Sequence, residues 1–177
     1  MNRTADIQLL PHDLADANKL QFINSLRRPR GILSVLLLSA ALSTIFALLV
    51  WDEGNALPIA AFTIVSPLAV LAGPAFVVWV INPGTARRIF KQQASLRKPY
   101  AIAWDEAHYL AHSDLGNTKL PWSDLFRVEH NDKLIVLFES QNLRRIIPLR
   151  FLSPEQRADI EGVIAAAAPQ AMARKWK

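Results

Sequence analysis

The side chains able to carry acid–base or metal chemistry are few in this chain and badly placed for it. The four histidines are His12, His108, His112 and His130. His108 and His112 fall on a segment that reads as a strand, four positions apart. They therefore share a face, but they sit roughly 13 Å apart along it, too far to ligate one zinc ion. His130 stands beside a turn with Glu129 and Asp132, the pattern of a solvated surface cluster. Asp105 and Glu106 are adjacent acids in a turn and do not converge. Ser113 follows His112 without the small residues and strand-to-helix turn that a nucleophile elbow requires. Six glycines are spread along the chain, none in a phosphate loop or dinucleotide fingerprint, and there is no cysteine. Thiol nucleophiles, Cys-based zinc sites and disulfides are thereby excluded together. The expectation is a protein that is not an enzyme, with no catalytic residue, no metal and no cofactor.

Anion binding is the chemistry that remains. Arg144, Arg145 and Arg150, with Lys119 and Arg127 nearby, are candidates for a basic face, and Arg87, Arg88 and Lys91 for contacts to lipid phosphates. The competing reading pairs the domain arginines across strands with Glu129 and Glu139, at under ~1 kcal/mol per exposed pair. Charge counted by segment decides how much of this is general. Residues 1–31 carry five basic and three acidic side chains, residues 82–97 four and none, residues 98–177 eleven and ten, and Asp52 and Glu53 complete the net +5. The excess thus flanks two apolar runs instead of marking a folded face, a pattern of membrane topology and not of nucleic-acid binding.

Those runs must be placed before the arginines can be. Residues 32–51 form an uncharged stretch that as a helix spans roughly 30 Å, the thickness of a bilayer core. Residues 57–81 form a second, long enough to tilt or bend at Pro67 and Pro74, with Asn82-Pro83-Gly84 expected to stop it. Gly73, Ala69 and Ala72 are expected to face Ser39, Ala40 and Ser43 and let the helices approach. The joining residues 52–56 leave almost nothing on the far side. Arg27, Arg28 and Arg30 before the hairpin, and Arg87, Arg88, Lys91, Arg97 and Lys98 after it, place both termini in the cytoplasm by the positive-inside rule. Trp51 and Trp79 are expected near opposite membrane faces.

The flanking sequence divides into a cytoplasmic segment 1–31, a basic linker 82–97, a domain 98–168 and a tail 169–177. Within 1–31, Ile7 and Leu9 permit one strand, and residues 11–26 predict a short helix lying on the membrane or on the domain. From Tyr100 onward, strands are predicted at 100–104, 107–112, 119–121, 125–130, 134–138 and 143–148, separated by turn residues. Leu134 to Phe138 are apolar on both faces, so both must be covered. Ser153-Pro154-Glu155-Gln156 is an N-capping signature, and Ile160, Val163, Ile164 and Ala167 supply a packing stripe for the helix that follows. The fold class expected is a membrane helical hairpin plus a small α+β domain, an antiparallel sheet or partial barrel capped by a C-terminal helix, with Trp104 and Trp122 in its core.

The run Leu120-Pro121-Trp122-Ser123-Asp124-Leu125 through Val128-Glu129, then the apolar strand, then Ile146-Ile147-Pro148-Leu149-Arg150-Phe151-Leu152-Ser153, resembles the YcxB-like C-terminal domain family. Leu149 stands where members often carry lysine, and the resemblance extends over both spans, from about Arg27 to Ala168. It implies a bacterial inner-membrane protein whose cytoplasmic domain is similar to a pleckstrin-homology (PH) barrel, and it brings no substrate or catalytic residue. The expected partners are membrane lipids and a protein, which includes a second copy of the chain. A protein-interaction module leads as the function, with anionic headgroup sensing as the alternative.

Overall fold

In the computed structural model, which describes residues 2–50, 56–169 and 171, the chain starts with a strand, β1 (Thr4–Ile7), and a helix, α1 (Pro11–Leu26). Pro11 sits in the first turn, where a missing N–H costs nothing, and Asp13 accepts the Leu10 amide at 2.7 Å. Past Arg27 and Arg28 the chain turns into α2 (Pro29–Val50). Gly31 permits this elbow, since a Cβ there would collide with the Ser25 carbonyl oxygen.

α2 is followed by α3 (Ala56–Phe76), and the two pack against each other. Both are long and apolar enough to cross a membrane: an 18-residue stretch within Pro29–Val50 has mean hydropathy 2.5, and one within the continuous helix Leu57–Gln92 has 2.2. Trp51 and residues 52–55 of the expected turn lie outside the described residues. The contact face differs from the one expected. Ser66, fully buried, lies 3.2 Å from the Ser43 hydroxyl and donates to the Ser39 carbonyl at 3.4 Å, and Phe46 stacks on Phe62 at 4.2 Å. Ala69, Ala72 and Gly73 face outward instead. Once hydroxyls and rings set the rotation of α3, the small residues fall on another side of it. Leu36, Leu37, Leu48, Leu49, Ile64 and Leu68 stay more than half exposed, a continuous apolar surface on the two helices.

The stop expected at Asn82-Pro83-Gly84 does not occur. A π-helical turn, Val77–Ile81, leads directly into α4 (Asn82–Gln92). The Asn82 amide reaches back five residues to the Val77 carbonyl, so the helix is wound wider just before the proline. That relieves the ring's clash with the preceding turn, and Pro83 then serves as a first-turn proline. A short helix, α5 (Ala94–Arg97), ends the linker.

The remaining chain builds two antiparallel sheets. β1, β2 (Tyr100–Trp104), β3 (His108–Ser113) and β4 (Gly116–Pro121) form the first in that order, and β5 (Arg127–His130), β6 (Leu134–Phe138) and β7 (Arg144–Pro148) form the second. Gly116, at φ +136°, closes the β3–β4 turn in a conformation open to glycine. A 3₁₀ turn at Trp122–Asp124 carries the chain from one sheet to the other, anchored by the Trp122 indole N–H on the Asp105 carbonyl at 2.9 Å. Trp104 and Trp122 are core residues, as expected. α6 (Pro154–Ala167) begins at a complete capping box of Ser153 and Gln156 and buries Ile160 and Ile164, with Val163 and Ala167 partly buried.

The expected boundary at residue 98 leaves out part of this body. β1 pairs with β2 from Thr4↔Ala103 to Ile7↔Tyr100, and Ile7, Leu9, Leu14, Ala17 and Leu20 join the same core as Ile102 and Leu137. The hairpin is therefore an insertion between two adjacent strands of one sheet. Every residue of β6 is buried, which needs a cover on each face, and α1 packs against it.

Candidate binding site

α1 holds the sheets against the apolar helices through polar contacts that use several of the candidate arginines. Arg150 reaches both carboxylate oxygens of the buried Asp13, at 2.5 and 2.8 Å, and the Gln8 carbonyl at 3.2 Å. Asn82, at the foot of α4, donates to the Ala15 carbonyl at 3.0 Å and accepts from Asn18 at 2.5 Å. Phe22 packs edge-on against Trp79 at 5.6 Å. At the C-terminal end of α1, Arg28 donates to the fully buried Glu129 at 2.7 Å, and Arg127 lies 3.0 Å from the same carboxylate oxygen while its guanidinium covers the Phe138 ring. Burial lowers the Arg127 pKa from its ordinary value, with Glu129 opposing that shift.

The basic face expected from Arg144, Arg145 and Arg150 is therefore divided. Arg150 is committed to Asp13, and Arg145 to Glu139 at 2.6 Å. Arg144 differs: its guanidinium donates to the Gln21 side chain at 2.9 Å and to Asn18, both neutral. Burial lowers its pKa from the ordinary value, and Glu129 acts on it only at longer range. Arg87, Arg88 and Lys91 lie exposed on α4. Glu129 is not part of a surface cluster with His130, because its side chain turns inward to Arg28. His108 pairs with Asp105 at 3.3 Å and His112 with Asn117, and no group of His, Cys, Asp or Glu suited to a metal occurs among the described residues. The Asp105 carboxyl is held below the usual range chiefly by the Ala107 amide, which fits a turn-capping acid.

Sequence reasoning did not find one further site. Between the two sheets and beside α5 lies a cavity of about 380 Å³, lined by Leu96, Lys98, Tyr100, Tyr109, Arg144 and Arg145 among others. Tyr100 donates to the Ile146 carbonyl at 3.0 Å, joining β2 to β7. The buried Tyr109 hydroxyl has no hydrogen-bond partner among the described residues. Burial raises both phenol pKa values, so both are neutral donors. The lining residues come from segments far apart in the chain, and no local motif marks them.

Fold and site together define a protein with two helices apolar enough to cross a membrane and an α+β body made of two antiparallel sheets. Residues 104–164 of that body match the family model described as YcxB-like protein, so this segment is YcxB-like, as the tryptophan turn and the Ile-Pro-x-Arg-Phe entry to α6 lead one to expect. The match spans roughly a third of the chain and stops short of the hairpin. No curated protein and no solved structure matches the chain.

Proposed function

We propose that the chain is a bacterial inner-membrane protein with both termini and the sheets in the cytoplasm, whose PH-like body binds a polypeptide partner along the β4 edge. The PH-like reading rests on the strand count and order, four then three, followed by one capping helix. The observation that carries the partner reading is the state of the sheet edges. Gln156 donates to the Asn2 and Thr4 carbonyls and so covers the outer side of β1, whereas β4 has only β3 beside it and exposes Gly116, Asn117 and Lys119. An uncovered edge of this length offers backbone groups to an added strand.

A photo-crosslinking side chain at Lys119 in the native membrane is expected to trap a polypeptide, and one at the exposed Glu155 on α6 is not. No adduct at Lys119 in an expressed, membrane-integrated chain would overturn this reading. Adducts with lipid alone would favour the alternative, headgroup sensing. Exposed Arg87, Arg88 and Lys91 support lipid contact of a simpler kind, in which basic side chains beside a span rest on phosphates and fix its depth.

The orientation is supported by Arg27, Arg30, Arg87, Arg88 and Lys91, all exposed at the end of the hairpin where α1 and the sheets sit. Because the chain has no cysteine, single cysteines at Asn55 and Gln141 report the two sides separately. An impermeant thiol reagent applied to spheroplasts should label position 55 alone, and labelling at 141 in unbroken cells would reverse the topology.

A further inference from the structure

We propose that the cavity beneath α5 is a binding site for an anionic amphiphile, a single phosphate or carboxylate on a short apolar body, held by Arg144 with Arg145 and Lys98. This stands apart from the β4 reading and does not depend on it.

Three observations converge there. First, the volume of about 380 Å³ falls in the range of small-molecule pockets. Second, Arg144 is a half-buried guanidinium whose contacts are neutral amides, while Arg28, Arg127, Arg145 and Arg150 each have a carboxylate in contact. A cation taken partly out of water without a counter-ion is costly, and an incoming anion removes that cost. Third, Tyr109 lines the same cavity, and its buried hydroxyl has no partner among the described residues. Such a donor commonly marks a place where a group is missing. The rest of the wall sets apolar Leu96, Ala111, Leu115 and Ile146 beside polar Ser113 and Thr118, and its apolar part is why the ligand needs a hydrocarbon body and not charge alone.

The ligand can come from solution or from the bilayer, and the chain offers its own probe for both. It has two tyrosines, Tyr100 and Tyr109, and both line this cavity. Full-length protein labelled with 3-fluorotyrosine, in phosphatidylcholine nanodiscs, should therefore give two fluorine resonances that report the site directly. Titration with hexyl phosphate to about 10 mM is expected to shift the Tyr109 resonance saturably, and Arg144→Met should weaken binding by at least about tenfold, as loss of a charge-assisted hydrogen bond requires. Arg150→Met also frees α1 but lies outside the cavity, so it should leave the affinity within about twofold. Should Arg144→Met fail to fold, Arg145→Gln, which leaves the α1 contacts in place, is expected to weaken binding about tenfold.

Nanodiscs containing phosphatidylglycerol distinguish the sources: the same shift without hexyl phosphate identifies a membrane lipid, and its absence identifies a soluble ligand. Absence of any saturable shift in both arms would overturn the proposal. Equal binding of inorganic phosphate would overturn the amphiphile assignment, and equal weakening by Arg150→Met would show that Arg144 acts only by holding α1.

Discussion

Replacing Glu129 by alanine is expected to destabilise the sheet body by about 3–5 kcal/mol, a large part of the ~5–15 kcal/mol that holds a domain together. The carboxylate has no exposed surface, and the guanidiniums of Arg28 and Arg127 lie 2.7 and 3.0 Å from it. Removing it leaves two positive charges against each other, one of them nine-tenths buried. Arg28→Met should cost less, because Arg127 still neutralises Glu129. The triple change Arg28→Met, Arg127→Leu, Glu129→Leu should regain most of the loss, since no charge then remains buried. Hydrogen exchange of the β5 to β7 amides in the nanodisc-reconstituted protein measures all three. Equal protection in Glu129→Ala and the parent chain would remove this cluster from any role in stability.

The second large effect concerns where the body ends. A fragment of residues 98–177 should show no cooperative unfolding transition, whereas residues 2–26 joined to residues 82–177 by a flexible linker of about 12 residues should melt cooperatively. The fragment loses β1, which pairs with β2 along its length, and α1, which covers β6. It would expose Ile102, Ile135 and Leu137, each at most 1% accessible in the intact chain, at roughly 1.5–3 kcal/mol per side chain. The linked chain replaces the hairpin by a tether whose root-mean-square reach, about 20 Å, is enough to join helices that already touch. Differential scanning calorimetry on the two proteins decides the matter, and a sharp transition in the shorter one would place the boundary at residue 98 after all.

The strand that opens the sheet and the strand that continues it are separated in sequence by both apolar helices, so the hairpin is joined to the sheet through its own backbone. α1 makes the same connection a second time through Asn18, Asn82 and Arg144. A ligand held by Arg144 would therefore meet the residue that also holds α1.

Much of this protein is written in local pattern. Two uncharged runs of bilayer length, the short apolar runs bounded by turn residues that mark β2 and β6, and the Ser153–Gln156 capping box each depend on neighbours within a few residues, and each is found where the sequence places it. The YcxB-like segment is legible for the same reason, since its turn and strand residues are contiguous. The arginines were legible as charges but not as contacts. Arg145 has its carboxylate six positions away, whereas Arg150 finds Asp13 across 137 positions and Arg28 finds Glu129 across 101.

The sequence by itself determined the two apolar runs, the positions of most strands after Tyr100 and the capped last helix, because periodicity, chain charge and turn residues act over short range. Only the tertiary structure decided that the first strand belongs to the sheet beyond the hairpin and that Pro83 lies within a continuing helix. It also set which face α3 turns to α2 and left Arg144 without an acid beside a cavity. In each case the preference of the local residues was weak or misleading, and burial, hydrogen bonding and counter-charge supplied by residues up to 137 positions away determined the outcome.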